Sequence, residues 1–387
     1  MAAMDRFMSR LLGLTFLLFT YTSLVPARAL YERDSQVTIF NSSVASGPSK
    51  VQFLAGKSAF DGPKLDSVNA SVFDWWYFQA MASPLSSFVI VFFTSTANAF
   101  PFLVDEDNVL PVWIWASFDN GTVVSMQTHA QKATIVTHGD GSSGNYEPLG
   151  MQWFGSPDMS SYYINVDNKE LGIKGTFKIS LGSNPVLPCG PPGSTKSMEL
   201  LPNIGWASAV PFGVGDVDMT IYGSKLRFTG LAYHDKNWAD TPLTHSVRTW
   251  YWGQATLANH ILIWFDIVTP NTTSSSTEYQ RIHIFHKPTH RLLYSSCAAD
   301  AVTARPYDQD GKPLRFPPQL GDPVPHTMRI VAEGGGAGAG VNVSVAGEKM
   351  IAGDGRTYTR LFGGVEGCVY GECGRGGVGI MEQMVLP

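Results

Sequence analysis

The sequence predicts an all-β protein, and three observations carry that prediction. Long stretches with an apolar residue every three or four positions are nearly absent, short β-branched and aromatic runs recur along the chain, and 39 Gly and 24 Pro supply turns between them. In chain order the clearest runs are Ser87-Phe-Val-Ile-Val-Phe-Phe-Thr94, Pro111-Val-Trp-Ile-Trp-Ala-Ser117, Gly175-Thr-Phe-Lys-Ile-Ser-Leu181, Ile261-Leu-Ile-Trp-Phe-Asp-Ile-Val268 and Arg281-Ile-His-Ile-Phe285. Such short strands, separated by turn-forming residues, suit a sandwich or a barrel.

The N-terminus follows a different logic. Basic Arg6 and Arg10 precede the apolar run Leu11–Phe19, and a small-x-small site follows at Ala27-Arg28-Ala29. This pattern predicts a secretory signal peptide over residues 1–29 and a mature chain from Leu30, in the secretory pathway or secreted. No later segment has the ~20 uninterrupted apolar residues of a spanning helix, so no stable membrane span is expected. Sequons at Asn41, Asn69, Asn120, Asn271 and Asn342 are the expected glycosylation sites. Cys189, Cys297, Cys368 and Cys373 allow three pairings, of which Cys368–Cys373 and Cys189–Cys297 are favoured.

The formal charge of −5 becomes −7 once Arg6, Arg10, Arg28 and Asp5 are removed, and no basic stripe remains. That balance argues against nucleic acid as a partner. Charged residues make up 15% of the chain and aromatics 12%, which favours extensive apolar surfaces and hydrophobic small molecules as ligands. A Pro/Gly/Ser-rich connection covers residues 182–200, a flexible turn is expected at Glu333–Gly340, and the domain junction falls around residues 230–248.

Strand alternation then selects candidate residues, because neighbours two apart share a face. In Thr249–Gln254, Trp250, Trp252 and Gln254 lie together; in the next run Leu262, Trp264, Asp266 and Val268 do. As hairpin neighbours these strands would place indoles beside one carboxyl, whose pKa would rise until it could donate a proton near neutral pH. The alternative role for Asp266 is a buried acceptor for a neighbouring turn. In Phe228–Asp240, His234, Lys236 and Trp238 share one face, and Tyr233, Asp235 and Asn237 the other. His234 and Lys236 could transfer protons or polarise an oxygen, or could serve only as well-bonded structural groups. In Phe73–Gln79, Asp74, Trp76 and Phe78 oppose Trp75, Tyr77 and Gln79, either as core plugs or as a ligand wall. His283, His286 and His290 do not make a metal site, since the first two point to opposite faces and Pro288 interrupts the strand. No cofactor is expected: the chain has no Rossmann glycine pattern and no paired CxxC.

Taken together, FDWWYFQ at 73–79, GLAYHDKNW at 230–238, WYWGQ at 250–254 and GVGIMEQM at 377–384 resemble the carotenoid 1,2-hydratase (hydroxyneurosporene synthase-like) superfamily. Within it the chain looks most like the fungal Diels-Alderase branch, and among those like the hetero-Diels-Alderases of tropolonic sesquiterpene pathways. The resemblance implies two β-domains, a sandwich-like half over 30–240 and a lipocalin-like barrel over 241–387, with a ligand pocket at their junction. Hydratases of the superfamily carry His-Asn-Trp and Tyr-x-Asp. Here Trp238 and Asp266 are kept, but Lys236 replaces His, Trp264 replaces Tyr and Ala239 replaces the following Gly, which weakens the case for water addition.

The implied activity is dehydration of a hydroxymethyl tropolone to an o-quinone methide, followed by its cycloaddition onto a humulene-type alkene. Asp266, His234 and Lys236 are then the expected catalytic groups. Trp252, Gln254, Trp264, Trp238, Tyr233, Trp76, Tyr77 and Asp74 are the expected substrate walls. The alternatives are an isoprenoid hydratase or dehydratase, a Diels-Alderase acting on a polyketide polyene, and a non-catalytic lipocalin-like binder.

Overall fold

The structure, a computed structural model, describes residues 35–83, 85–271, 276–333 and 340–387. The expected signal peptide and most of the Gly-rich stretch 333–340 lie outside the described residues. Two antiparallel sheets account for nearly all of the rest, so the chain is all-β.

The first sheet contains β1 (Gln36–Asn41), β2 (Phe73–Ala82), β3 (Ser86–Ser95), β4 (Pro111–Ser117), β5 (Val123–His129), β6 (Lys132–His138), β7 (Gly141–Glu147), β8 (Met151–Gly155), β9 (Ser161–Asn168), β10 (Ile173–Leu181), β11 (Glu199–Leu201), β12 (Ile204–Ile221) and β13 (Ser224–Ala239). Its order is β1-β6-β7-β8-β9-β10-β12-β13-β2-β3-β4-β5, with β11 on β12. A one-turn helix α1 (Leu243–Ser246) leads to the second sheet. That sheet contains β14 (Thr249–Leu257), β15 (His260–Val268), β16 (Glu278–His286), β17 (Arg291–Ser296), β18 (Thr303–Tyr307), β19 (Thr327–Ala332), β20 (Val341–Ala346), β21 (Lys349–Gly353), β22 (Tyr358–Val369) and β23 (Glu372–Val385). The order here is β17-β16-β15-β14-β23-β22-β20-β19-β18, with β21 on β22.

Outer strands alternate as a half-buried strand should, as in β9, where every second residue is buried. The central strands β2, β3, β14 and β15 are buried on both faces and so read as almost unbroken apolar runs. The reason is that three apolar layers stack across the molecule. Trp76, Phe78, Phe92 and Trp238 belong to the first sheet's own core. Trp75, Tyr77, Trp252 and Phe265 belong to the layer between the sheets. Tyr251, Leu262 and Trp264 belong to the second sheet's core.

Glycines seat two of the large indoles beside the interface. Gly253 lies opposite Trp264 and Gly205 opposite Trp238, and a Cβ at either position would come within 2.0–2.1 Å of the indole. The ring lies flat on bare backbone, which any other residue would prevent.

The interface is also hydrogen-bonded. Tyr77 Oη donates to Gln79 Oε1 (2.5 Å), Gln79 Nε2 to Gln254 Oε1 (3.0 Å), and Gln254 Nε2 to Pro211 O (2.8 Å). Pro211 sits where the β12–β13 register shifts, and that irregularity leaves its carbonyl free to accept. Cys189–Cys297 links the 182–200 connection to the chain after β17, and Cys368–Cys373 is a cross-strand pair of the β22–β23 hairpin. Among the described residues no helix is long and apolar enough to cross a membrane.

Candidate active site

A cavity, partly open to solvent and with about 50 Å³ of room for water-sized spheres, lies between the two sheets. Register explains its walls. On the first sheet Asp235, Tyr77, Val91 and Trp113 are successive cross-strand neighbours on β13, β2, β3 and β4. Opposite them, Phe265, Trp252, Glu382 and Arg360 form a row across β15, β14, β23 and β22, with Trp250, Met384 and Tyr358 in the adjacent row. All of these side chains line the cavity. The rings pack edge-on or tilted: Tyr77–Trp252 centroids are 5.8 Å apart, Trp250–Phe265 5.4 Å and Trp113–Trp115 4.4 Å. A more open hollow, with exposed Val104 on its wall, borders the cavity along Phe102, Trp113, Trp115 and Tyr358.

Two carboxyl groups and one guanidinium face this space. Asp235 is 5% exposed, and its Oδ2 accepts from Tyr233 Oη (2.6 Å) and Trp206 Nε1 (2.7 Å). Burial raises its carboxyl to about 7 against the stabilising effect of those two donors. Arg360 and Glu382 pair through Arg360 Nε (2.7 Å) and Nη2 (2.5 Å) on the same Oε1, which also accepts from Tyr358 Oη (3.2 Å). Despite burial, Tyr358, Tyr77 and Glu382 hold the guanidinium more firmly protonated than an ordinary arginine. Its Cζ lies 4.5 Å from the Trp115 ring centroid and 5.1 Å from that of Tyr77. The pair cancels in charge, so with Asp235 protonated the cavity suits a neutral ligand.

The structure brings together some of the expected residues and separates others. Trp252 and Tyr77 line the cavity, Tyr233 buttresses it through Asp235, and Gln254 sits behind it in the hydrogen-bond chain. The grouping of Asp266 and Trp264 with Trp252 needs correction. Trp252 pairs with Phe265, and Asp266 pairs with Tyr251 on the opposite face, inside the second sheet's core. There Asp266 Oδ2 accepts from Ala304 N (2.9 Å) and Arg305 Nη1 (2.6 Å), fastening strand β18 to β15 where the curled sheet approaches itself. Burial lifts its carboxyl well above the ordinary carboxylate range, but it faces no cavity shared with Trp252.

His234, Lys236, Trp238, Trp76 and Asp74 also face away from the cavity, into the first sheet's core. Lys236 Nζ bonds Asp74 Oδ1 (2.7 Å) and lies 3.3 Å from the Trp76 ring centroid. The His234 ring stacks on Phe78, its Nδ1 donates to Tyr77 O (2.9 Å), and its Nε2 meets Asp61 Oδ1 (3.1 Å). Trp238 Nε1 donates to Gln52 O (2.8 Å). Burial raises Asp74 and lowers Lys236, and all five side chains are sealed from solvent. They form a structural network with no opening for a substrate.

The acidic and basic side chains that do line the cavity are Asp235, Arg360 and Glu382, none of which was among the expected catalytic or wall residues. A signal for them existed: Glu382 alternates with Ile380 and Met384, and Arg360 with Tyr358 and Phe362, as charges on otherwise apolar faces. Buried charges of that kind need partners, and here they find each other.

Residues 36–300 match the family described as Diels-Alderase-like. The quinolone epoxide rearrangement protein asqO of Emericella nidulans is 30% identical over 315 residues, covering 80% of this chain and 82% of that protein. The quinolone epoxide rearrangement protein penF of Penicillium thymicola is 32% identical over 349 residues, covering 87% and 92%. The fold is similar to that of CghA, solved with Sch210972, with a TM-score of 0.72 at 15% identity over 90% of this chain and 98% of that one. On the match over most of its length, this chain belongs to the Diels-Alderase-like family.

Proposed function

We propose that the protein is a pericyclase that takes a flat, conjugated, oxygen-bearing molecule into the cavity between its sheets, generates a reactive diene by proton transfer, and holds it for ring closure. The observation that carries this reading is the Asp235 carboxyl, able to remain protonated to about pH 7 inside an aromatic-walled, charge-balanced cavity. With a hydroxymethyl tropolone, the Asp235 O–H would protonate the hydroxymethyl oxygen, the C–O bond would break, and water would leave. The ring hydroxyl proton would return to the carboxylate, leaving a neutral o-quinone methide. Cycloaddition to a humulene-type olefin then needs positioning more than charge, and ideal positioning is worth ~7–11 kcal/mol.

A second reading is favoured by the 30–32% identity to quinolone epoxide rearrangement proteins: the same carboxyl would protonate an epoxide oxygen. One experiment separates the two. Purified protein is incubated either with a hydroxymethyl tropolone and humulenol or with a quinolone epoxide, each beside an enzyme-free control. Accelerated, stereoselective adduct formation supports the cycloaddition, conversion of the epoxide alone supports the rearrangement, and no conversion of either refutes both.

A further inference from the structure

Three N–H groups of the cavity wall make no hydrogen bond: Arg360 Nη1, Trp250 Nε1 and Trp252 Nε1. Each belongs to a side chain that is at least nine-tenths buried, Arg360 being 3% exposed. A buried indole N–H ordinarily finds a partner, and leaving a donor unmade in a dry site is costly. The three are not scattered. Trp252, Glu382 and Arg360 are consecutive across β14, β23 and β22, and Trp250 stands one row away on the same face. Among the described residues lining the cavity, no acceptor oxygen is both sealed from solvent and unpartnered, whereas these three donors are.

We infer that this row is an oxygen-capture site for neutral ligands carrying carbonyl or ether acceptors on a planar conjugated ring. The sealed, unpartnered donors determine the class. Donors seek acceptors, so a hydrocarbon leaves all three unmade. A carboxylate is disfavoured as well, because Glu382 already neutralises Arg360 and would repel a second anion. The guanidinium is held in place by Glu382 and by the Trp115 and Tyr77 rings, so Nη1 is preorganised to receive an oxygen. This inference rests on the cavity being the substrate site, and it names what that substrate must offer.

The test uses unreactive probes and calorimetry on the full chain. 2-Methoxytropone supplies two acceptor oxygens, cycloheptatriene supplies a seven-membered hydrocarbon ring without them, and benzoate supplies an anion. Wild type should bind 2-methoxytropone about 10- to 100-fold more tightly than cycloheptatriene, the range of one or two charge-assisted bonds, and benzoate no better than the hydrocarbon. The double variant Arg360→Met/Glu382→Gln avoids an unpaired buried carboxylate and should lose most of that preference. Trp252→Phe keeps the ring wall, removes one N–H, and should lose a few-fold. Equal binding of the oxygenated probe and the hydrocarbon by wild type would overturn the inference. So would an unchanged preference in the double variant with its circular dichroism and melting intact. Should the double variant not fold, an unchanged preference in Trp252→Phe would overturn it and a reduced one would support it. Because the probes do not react, failure of turnover with the substrates above leaves this result readable.

Discussion

Asp235→Asn separates the chemistry of the cavity from its packing. Both bonds to Asp235 fall on one oxygen, and an asparagine carbonyl can accept both, so the walls should keep their shape. Only the ionisable proton is removed. The folded carboxyl titrates near 7 and the unfolded one near 3.8, so the folded state prefers the neutral form. That preference stabilises the fold fully below the lower value and is lost as pH rises through the upper one. At about 1.36 kcal/mol per unit, the shift corresponds to roughly 4 kcal/mol. Urea denaturation between about pH 4 and pH 8 should therefore show wild type weakening relative to the variant by an amount of that order.

The rate provides the second readout. A positioned acid contributes about 10²–10⁴-fold, so the variant should slow by that range. Wild-type kcat should be flat at low pH and fall about tenfold per unit above about pH 7, and the variant should lack this limb. A variant retaining activity within about threefold, or a wild-type profile flat to about pH 9, would refute a catalytic role for Asp235.

Three further substitutions test the division of the molecule into cavity and cores. Trp252→Ala should lower kcat/KM by roughly tenfold or more and erode stereochemical control, because the partners lose one wall; an unchanged product ratio would remove Trp252 from the template. Asp266→Asn should lower stability by on the order of 1–2 kcal/mol through a weakened β15–β18 fastening and leave the product ratio alone, as read by melting and chiral chromatography. Lys236→Met should destabilise by about 3–5 kcal/mol, since it leaves Asp74 buried without its cation; a denaturation midpoint equal to wild type would show that the network is dispensable.

Much of this was legible in the sequence, and the remainder was not for a definable reason. Alternation correctly divided Tyr233, Asp235 and Asn237 from His234, Lys236 and Trp238, and Trp75 and Tyr77 from Asp74 and Trp76. It could not say which face would meet the cavity, because both faces of these strands are buried. Asp266 illustrates a second difficulty. Its relation to Trp252 depends on the register of the β14–β15 hairpin, set by a two-residue turn at Ala258-Asn259 that carries none of the usual Asn-Gly or Asp-Gly signal. A change of one residue in that turn reverses which side chains face each other. Arg360 and Glu382 lie far along the chain from the motifs of β2 and β13, and only the stacking of the sheets brings them opposite Tyr77 and Asp235.

The chain's own order of residues determined that it would fold as β-structure and which side chains would travel together, because those properties repeat every two residues and are local. Where a hollow opens, and which carboxyl borders it, was decided by two curved sheets meeting face to face. That meeting depends on register and curvature summed over many strands, and no single stretch of sequence contains it.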